Sequence, residues 1–115
     1  MTFAVTHSPR DGGGVCLRLV GELDVSTAGE LNEAIDRLAA EGERHLLLDL
    51  TDLTFCDSTG IAAFVRGDNR ASADGGWLRV IGATGRVDRV LQVTGLADVL
   101  RYGPDTVDPA SRSGR

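Results

Sequence analysis

A short polar segment, Asp57-Ser58-Thr59-Gly60, carries the side chains whose types and spacing best suit chemistry. A helical pattern follows Asp57, so its carboxylate is placed to accept hydrogen bonds from the free N–H groups of a first helical turn. Ser58 is then the first helical residue, and its hydroxyl lies in the positive end of the helix dipole. A hydroxyl at such a strand-to-helix turn is a natural position for a phosphate. The segment therefore predicts Ser58 as the functional centre.

Catalytic interpretations of this segment fail on spacing. The nucleophile elbow G-x-S-x-G is absent, and no histidine lies near Ser58 in the sequence. Asp57 is not followed by glycine two places later, as an aspartic protease requires. The glycines Gly12-Gly13-Gly14 precede a predicted strand instead of a helix, and no Gly-Lys-Ser/Thr sequence occurs, so a nucleotide cradle is not indicated. We expect no enzymatic activity and no cofactor.

Composition narrows the possible partners and locations. The 115 residues fit one domain, and a net charge of −5 without a basic block is unsuited to nucleic acid or to an anionic membrane. Two cysteines and two histidines are spaced neither as a metal site nor as a disulfide framework, so the cysteines are read as buried apolar residues in a reducing compartment. No leader pattern and no apolar run of membrane-spanning length is present, which favours a cytoplasmic protein.

The elements that position this segment follow from hydrophobic periodicity. Leu46-Leu47-Leu48, continued by Leu50, is typical of a strand buried on both faces. The whole chain predicts the order β-β-α-β-α-β-α-β, with a final edge strand over Leu96 to Tyr102. Strands that alternate with helices indicate an α/β domain with a mixed sheet of four or five strands and helices packed on it. We expect this domain to span 1–103 and a polar, flexible tail to span 104–115.

The first predicted helix shows signals at its start and on its outer side. Ser26 or Thr27 is suited to cap it, and Glu30 stands near a capping-box spacing. Glu33 and Arg37 are spaced i,i+4, which favours an ion pair on the solvent side.

Three segments together resemble a known family. They are G-E-L-D-V-S-T-A from Gly21, L-L-L-D-L-T-D-L-T-F-C-D-S-T-G-I from Leu46, and L-R-V-I-G-A-T-G-R-V-D-R-V-L-Q-V-T-G-L from Leu78. In this order and spacing they are similar to bacterial anti-sigma-factor antagonists, which are stand-alone STAS domains. The resemblance covers nearly the whole chain except the tail.

The resemblance implies a phosphorylation switch in transcription regulation. The serine of the family's D-S-[ST]-G motif is phosphorylated by a partner anti-sigma factor that is itself a serine kinase, and a phosphatase resets it. Unphosphorylated antagonist binds the kinase and frees the sigma factor. Carried over, the acceptor is Ser58, and the acidic loop residue beside the motif is Asp24. The partner-binding residues so implied are Asp24, Asp57, Ser58, Thr59, Gly60 and Ile61.

Two departures and one alternative accompany the resemblance. Thr59 replaces the second serine common in the motif and leaves a second hydroxyl as an alternative acceptor. The final helix of many members is absent or reduced to the polar tail. The alternative is a STAS interaction module of another signalling or lipid-transport assembly. In either case a phosphate on Ser58 would add about −1.5 to −2 charges, and the helix N-terminus is expected to hold it for about 0.3–1 kcal/mol.

Overall fold

The computed structural model describes residues 2–100, and seven of the eight predicted elements occur there in the predicted order. None of the helices in this part of the chain is long and apolar enough to cross a membrane. The expected tail lies outside the described residues. The elements are β1 Phe3–Pro9, β2 Val15–Leu23, α1 Ala28–Ala40, β3 His45–Cys56, α2 Ser58–Ala73, β4 Trp77–Ile81, α3 Gly85–Val93 and α4 Leu96–Val99.

One mixed sheet with the strand order β1-β2-β3-β4 organises the domain. β1 pairs antiparallel with β2, whereas β2 with β3 and β3 with β4 are parallel. The parallel register aligns Leu23, the last residue of β2, with Cys56, the last residue of β3. Because the carboxyl ends of parallel strands meet at one edge of the sheet, the loop after β2 and the start of α2 lie side by side.

The core lies between one face of this sheet and the inner faces of the helices. Alternate strand side chains such as Leu17, Leu19, Leu48 and Leu50 have no exposed surface and share one cluster with Phe64 of α2. On the opposite face, Leu47 is buried outside that cluster. Other residues on this opposite face are half-buried or exposed: Cys16, Arg18, Val20, Asp49 and Thr51. β3 is therefore buried on both faces only over its first half.

The predicted final edge strand over Leu96 to Tyr102 is wrong in its described part, because Leu96–Val99 forms the short helix α4. Gly95 adopts a left-handed conformation (φ 78°) after α3, and the N–H of Leu100 donates to the carbonyl of Leu96. Ala97 and Leu100 are buried, three positions apart. This spacing is helical, but so short an apolar segment does not distinguish a helical period from the alternation of a strand.

Candidate functional site

Asp57 joins β3 to α2 and caps the helix as predicted. Its backbone is extended (φ −103°, ψ −170°), and its carboxylate Oδ1 accepts hydrogen bonds from the N–H groups of Thr59 at 2.9 Å and Gly60 at 3.2 Å. The carbonyl of Asp57 accepts the N–H of Ile61 at 3.0 Å. Two of the amides that a helix N-terminus offers to an anion are thus already bound to Asp57.

Ser58 and Thr59 differ in exposure, although both carry hydroxyls. Ser58 is the first residue of α2 and its side chain is exposed, whereas Thr59 is half-buried. An enzyme that modifies a hydroxyl must reach it from solvent, so the geometry favours Ser58 over Thr59 as an acceptor. The structure places Ser58 on the surface at the carboxyl edge of the sheet.

Gly60 lets the first turn of α2 approach the ends of β2 and β3. The residue is buried, and a Cβ atom there would lie 2.6 Å from Cys56 Sγ and 2.9 Å from Leu23 Cγ. Real Cβ atoms do not approach neighbours this closely, so any other residue must displace the helix or these side chains. Ile61, the next residue, packs against the core. Gly60 and Ile61 therefore set the position from which Ser58 projects.

Asp24 follows β2 and lies beside this turn, but its carboxylate is directed into its own loop. The N–H of Asp57 donates to the carbonyl of Leu23, at 3.3 Å, which joins the two segments. Asp24 is only 8% exposed, and its Oδ1 accepts hydrogen bonds from the N–H of Ser26 at 2.9 Å and from its hydroxyl at 2.7 Å. The hydrogen bond from the Ser26 hydroxyl is the main cause that lowers the pKa of Asp24 below its ordinary value. Asp24 thus holds the loop as a charged carboxylate.

The expected side-chain cap of α1 by Ser26 or Thr27 is wrong. Thr27 occupies the N-cap position without capping through its side chain. Its hydroxyl donates to the carbonyl of Glu22 at 2.8 Å and accepts the N–H of Asp24 at 2.9 Å. The Asp-x-Ser spacing from Asp24 is the signal that could have indicated an Asx turn, in which the serine binds the aspartate instead of the helix.

This loop exposes one large apolar side chain, that of Val25. Val25 is 78% exposed, between Asp24, which is buried, and Ser26, which is bound to it. Because Leu23 is bonded to Asp57, Val25 is two residues from a contact with the segment that carries Ser58. Sequence reasoning missed this residue, since an exposed valine has no signal of its own.

Cys56 lies beneath the turn and takes no part in nucleophilic chemistry. It is buried, and burial, aided by the charge of Asp57, raises its pKa to about 12. The thiol therefore stays protonated near neutral pH. Among residues 2–100, no three His, Cys, Asp or Glu side chains are grouped so that they could hold a metal ion.

The chain is similar to known proteins in sequence and in fold. A family model described as "Mlab, STAS domain" matches residues 7–102. The anti-sigma-B factor antagonist of Staphylococcus aureus (strain NCTC 8325 / PS 47) is 30% identical over 90 residues, which are 78% of this chain and 83% of that protein. A crystal structure of an anti-sigma factor antagonist from Mycobacterium paratuberculosis superposes with a TM-score of 0.81 at 26% identity, covering 97% of this chain and 93% of that one. The Bacillus cell fate determinant SpoIIAA in its phosphorylated form shares the fold, with a TM-score of 0.70 at 21% identity over 97% of this chain and 100% of that one.

Proposed function

This chain belongs to the STAS-domain family of anti-sigma factor antagonists, and from that premise we propose that Ser58 is its phosphorylation switch. Unphosphorylated, the chain binds a serine-kinase anti-sigma factor and releases the sigma factor. Phosphorylation of Ser58 by that kinase ends the binding, and a phosphatase restores it. The observation that carries the proposal is the exposed Ser58 hydroxyl at the first position of α2, next to the Asp57 cap.

The electrostatics of the turn support a switch that works by charge. A phosphate on Ser58 adds about −1.5 to −2 charges. Asp57 already accepts the amides of Thr59 and Gly60, so these donors are not available to neutralise the phosphate. The expected stabilisation of the phosphate by the helix N-terminus is accordingly reduced. The added charge instead faces outward beside the Asp57 carboxylate, where a partner surface fitted to a hydroxyl would meet it.

The size of the effect is sufficient for switching without refolding. Like-charge juxtaposition across an interface costs several kcal/mol, and each ~1.4 kcal/mol is a tenfold loss of affinity. Val25 is 78% exposed on the loop that is hydrogen-bonded to the Asp57 turn, so a partner seated over both segments would exclude water from the phosphate and strengthen this penalty.

A second assignment is an interaction module of another signalling or lipid-transport assembly, in which Ser58 is modified by another kinase or by none. The observation that favours it is the description of the matching family model, which names Mlab and no sigma factor. The curated relative from Staphylococcus aureus favours the first assignment.

The experiment that tests the switch is incubation of the full chain with ATP and the serine-kinase anti-sigma factors of the same genome, followed by intact mass. We expect one gain of about 80 Da, the mass of one phosphoryl group. Ser58→Ala should abolish the gain, whereas Thr59→Ala should retain it. If Thr59→Ala alone abolished the gain, Ser58 would not be the acceptor. If no kinase of the set bound or modified the chain, the second assignment would replace the first.

A further inference from the structure

Among the described residues, the outer side of β1 is a strand edge without a neighbouring strand, because β1 pairs there with β2 alone. At the two ends of this ladder the N–H of Glu22 donates to the carbonyl of Thr2, and the N–H of Arg10 donates to the carbonyl of Gly14. Even-numbered residues of β1 therefore direct their backbone groups toward β2, and the alternation of an antiparallel ladder directs those of Phe3, Val5 and His7 outward. Within residues 2–100, these outward groups have no hydrogen-bond partner.

This edge lacks most of the features that keep strand edges apart. The strand has seven residues, F-A-V-T-H-S-P, without a lysine, arginine, aspartate or glutamate. Pro9 blocks only its last position. Long edges without charges or central prolines are templates for pairing with another strand.

A groove between β1 and α1 runs beside the edge. Its volume is about 310 Å³, and Val5 and His7 of β1 line it together with Glu30, Glu33, Ala34, Arg37 and Leu38 of α1. The charged side chains on its α1 side, Glu30, Glu33 and Arg37, are exposed. The ion pair expected from the sequence between Glu33 and Arg37 is not formed, and none of these three charges has an ion-pair partner in the described part of the chain.

The opposite charges of Glu30 and Arg37 can complement each other across a two-fold axis. α1 connects two adjacent parallel strands, so it runs antiparallel to β2 and in the same direction as β1. A two-fold axis that is perpendicular to the sheet and lies between the Val5 residues of two copies pairs Phe3 with His7 of the second copy, with about six backbone hydrogen bonds along the edge. The same axis reverses α1 of the second copy. Where the midpoint of Glu30 and Arg37 lies beside the axis, Glu30 faces the second copy's Arg37 and Arg37 faces its Glu30, with the two Glu33 side chains between these pairs.

From this symmetry we propose that the chain forms an isologous dimer through the outer edge of β1, in which the two sheets join into one. Opposite charges meet twice across the axis, as a two-fold interface requires. The surface that carries Ser58 lies after β3, which β2 separates from β1, so the dimer leaves that surface open. The proposal therefore does not depend on the phosphorylation switch.

The test is a charge exchange on the full chain, with the association constant measured by sedimentation across a concentration series. Glu30→Arg alone and Arg37→Glu alone each place like charges together and should weaken the homodimer about tenfold or more. An equimolar mixture of these two variants restores both opposite-charge pairs, so heterodimers should form about as well as the wild-type dimer. Glu41→Arg makes the same charge change at the exposed end of α1 and should leave association unchanged.

Thermal unfolding of each variant verifies that it is folded before association is compared. A wild-type chain that stays monomeric at every concentration overturns the proposal. So does a dimer that neither reversal weakens, a dimer that Glu41→Arg weakens equally, or a mixture that fails to recover association.

Discussion

The carboxylate of Asp57 has two effects on the site, and both follow from its hydrogen bonds to the first turn of α2. Its carboxylate satisfies two free amides of α2, which stabilises the first turn under Ser58. The same carboxylate places a negative charge beside the serine. The cap therefore fixes the direction of the Ser58 side chain and also sets the electrostatic surroundings of any phosphate attached to it.

Substitutions of Asp57 separate these two effects. Asp57→Asn keeps a side-chain oxygen that caps well, so the free energy of unfolding should change by less than about 0.5 kcal/mol. Asp57→Ala removes the acceptor and should lower it by about 1 kcal/mol. Chemical denaturation of the two variants beside the wild type is the measurement. Equal losses for both variants would show that charge, and not the capping bond, stabilises the turn.

Asp24 gives the domain a dependence on acid pH. Its pKa is lowered in the folded chain, so its contribution to stability is fully present above its ordinary value of 3.8 and is lost as the pH falls through the lower folded value. Asp24→Asn should therefore be less stable than the wild type at neutral pH, and this difference should shrink as the pH falls below about 4. Denaturant midpoints from neutral to acid pH measure it. A difference that is constant across this range would exclude the carboxylate charge as its cause.

The sequence predicts which residues surround the turn at Ser58, but it predicts their hydrogen-bond partners only in part. Asp57 was predicted as a cap because a helical pattern follows it directly, and the structure confirms this. Thr27 was also expected to cap, but its hydroxyl binds Glu22 instead. Serine and threonine suit helix caps and loop turns equally, and the choice depends on the burial of Asp24, which is a tertiary property.

At the element scale, α2 connects the site to the core through close contacts that small residues allow. Gly67, in the middle of α2, is buried, and a Cβ atom there would lie 2.6 Å from Leu78 Cδ1 of β4 and 3.0 Å from Ile35 Cδ1 of α1. Leu78 and Ile35 both belong to the buried core cluster, so a shift of either side chain disturbs the residues packed around it. Glycine weakens a helix relative to alanine, so its place in the middle of α2 needs a reason. The structure adds the reason, since this glycine lets α2 pack against β4 and α1.

Substitution of helical glycines by alanine distinguishes packing from helix propensity. Alanine is favoured over glycine in a helix by about 1 kcal/mol, but overpacking a core costs about 1–3 kcal/mol. We expect Gly67→Ala to lower the free energy of unfolding by about 1 kcal/mol. Gly29→Ala in α1 is the matched control, because a Cβ atom at Gly29 has no neighbour within 4 Å, and it should raise stability. A stabilised Gly67→Ala variant, measured by thermal unfolding, would contradict this account of the packing.

At this scale, the type of an element could be predicted where the hydrophobic periodicity extends over many residues. The prediction failed where the segment is short. α1 and α2 have repeated apolar positions over 13 and 16 residues, and both were predicted. α4 has four residues, and such a segment contains too few positions to separate a period of 3.6 from a period of 2. The wrong prediction for α4 matters little for the site, because α4 packs mainly against α3 and the site lies at the start of α2.

At the scale of the whole molecule, the two proposed binding surfaces lie at different parts of the sheet. The segments that follow the carboxyl ends of β2 and β3 carry the exposed Val25 and Ser58, which belong to the proposed kinase-binding surface. The outer edge of β1 carries the proposed contact with a second copy. Because different strands build these surfaces, modification of Ser58 should leave dimer formation unchanged.

The central claim is that one phosphate on Ser58 controls the binding of an anti-sigma factor without refolding this chain. The most direct measurement is the affinity of a serine-kinase anti-sigma factor of the same genome for the unphosphorylated chain and for the chain phosphorylated at Ser58, with thermal unfolding recorded for both. We predict that the phosphate weakens binding about 100-fold or more, while the folded state is retained. Equal affinity for the two forms, or an affinity lost only because the phosphorylated chain unfolds, would contradict the account.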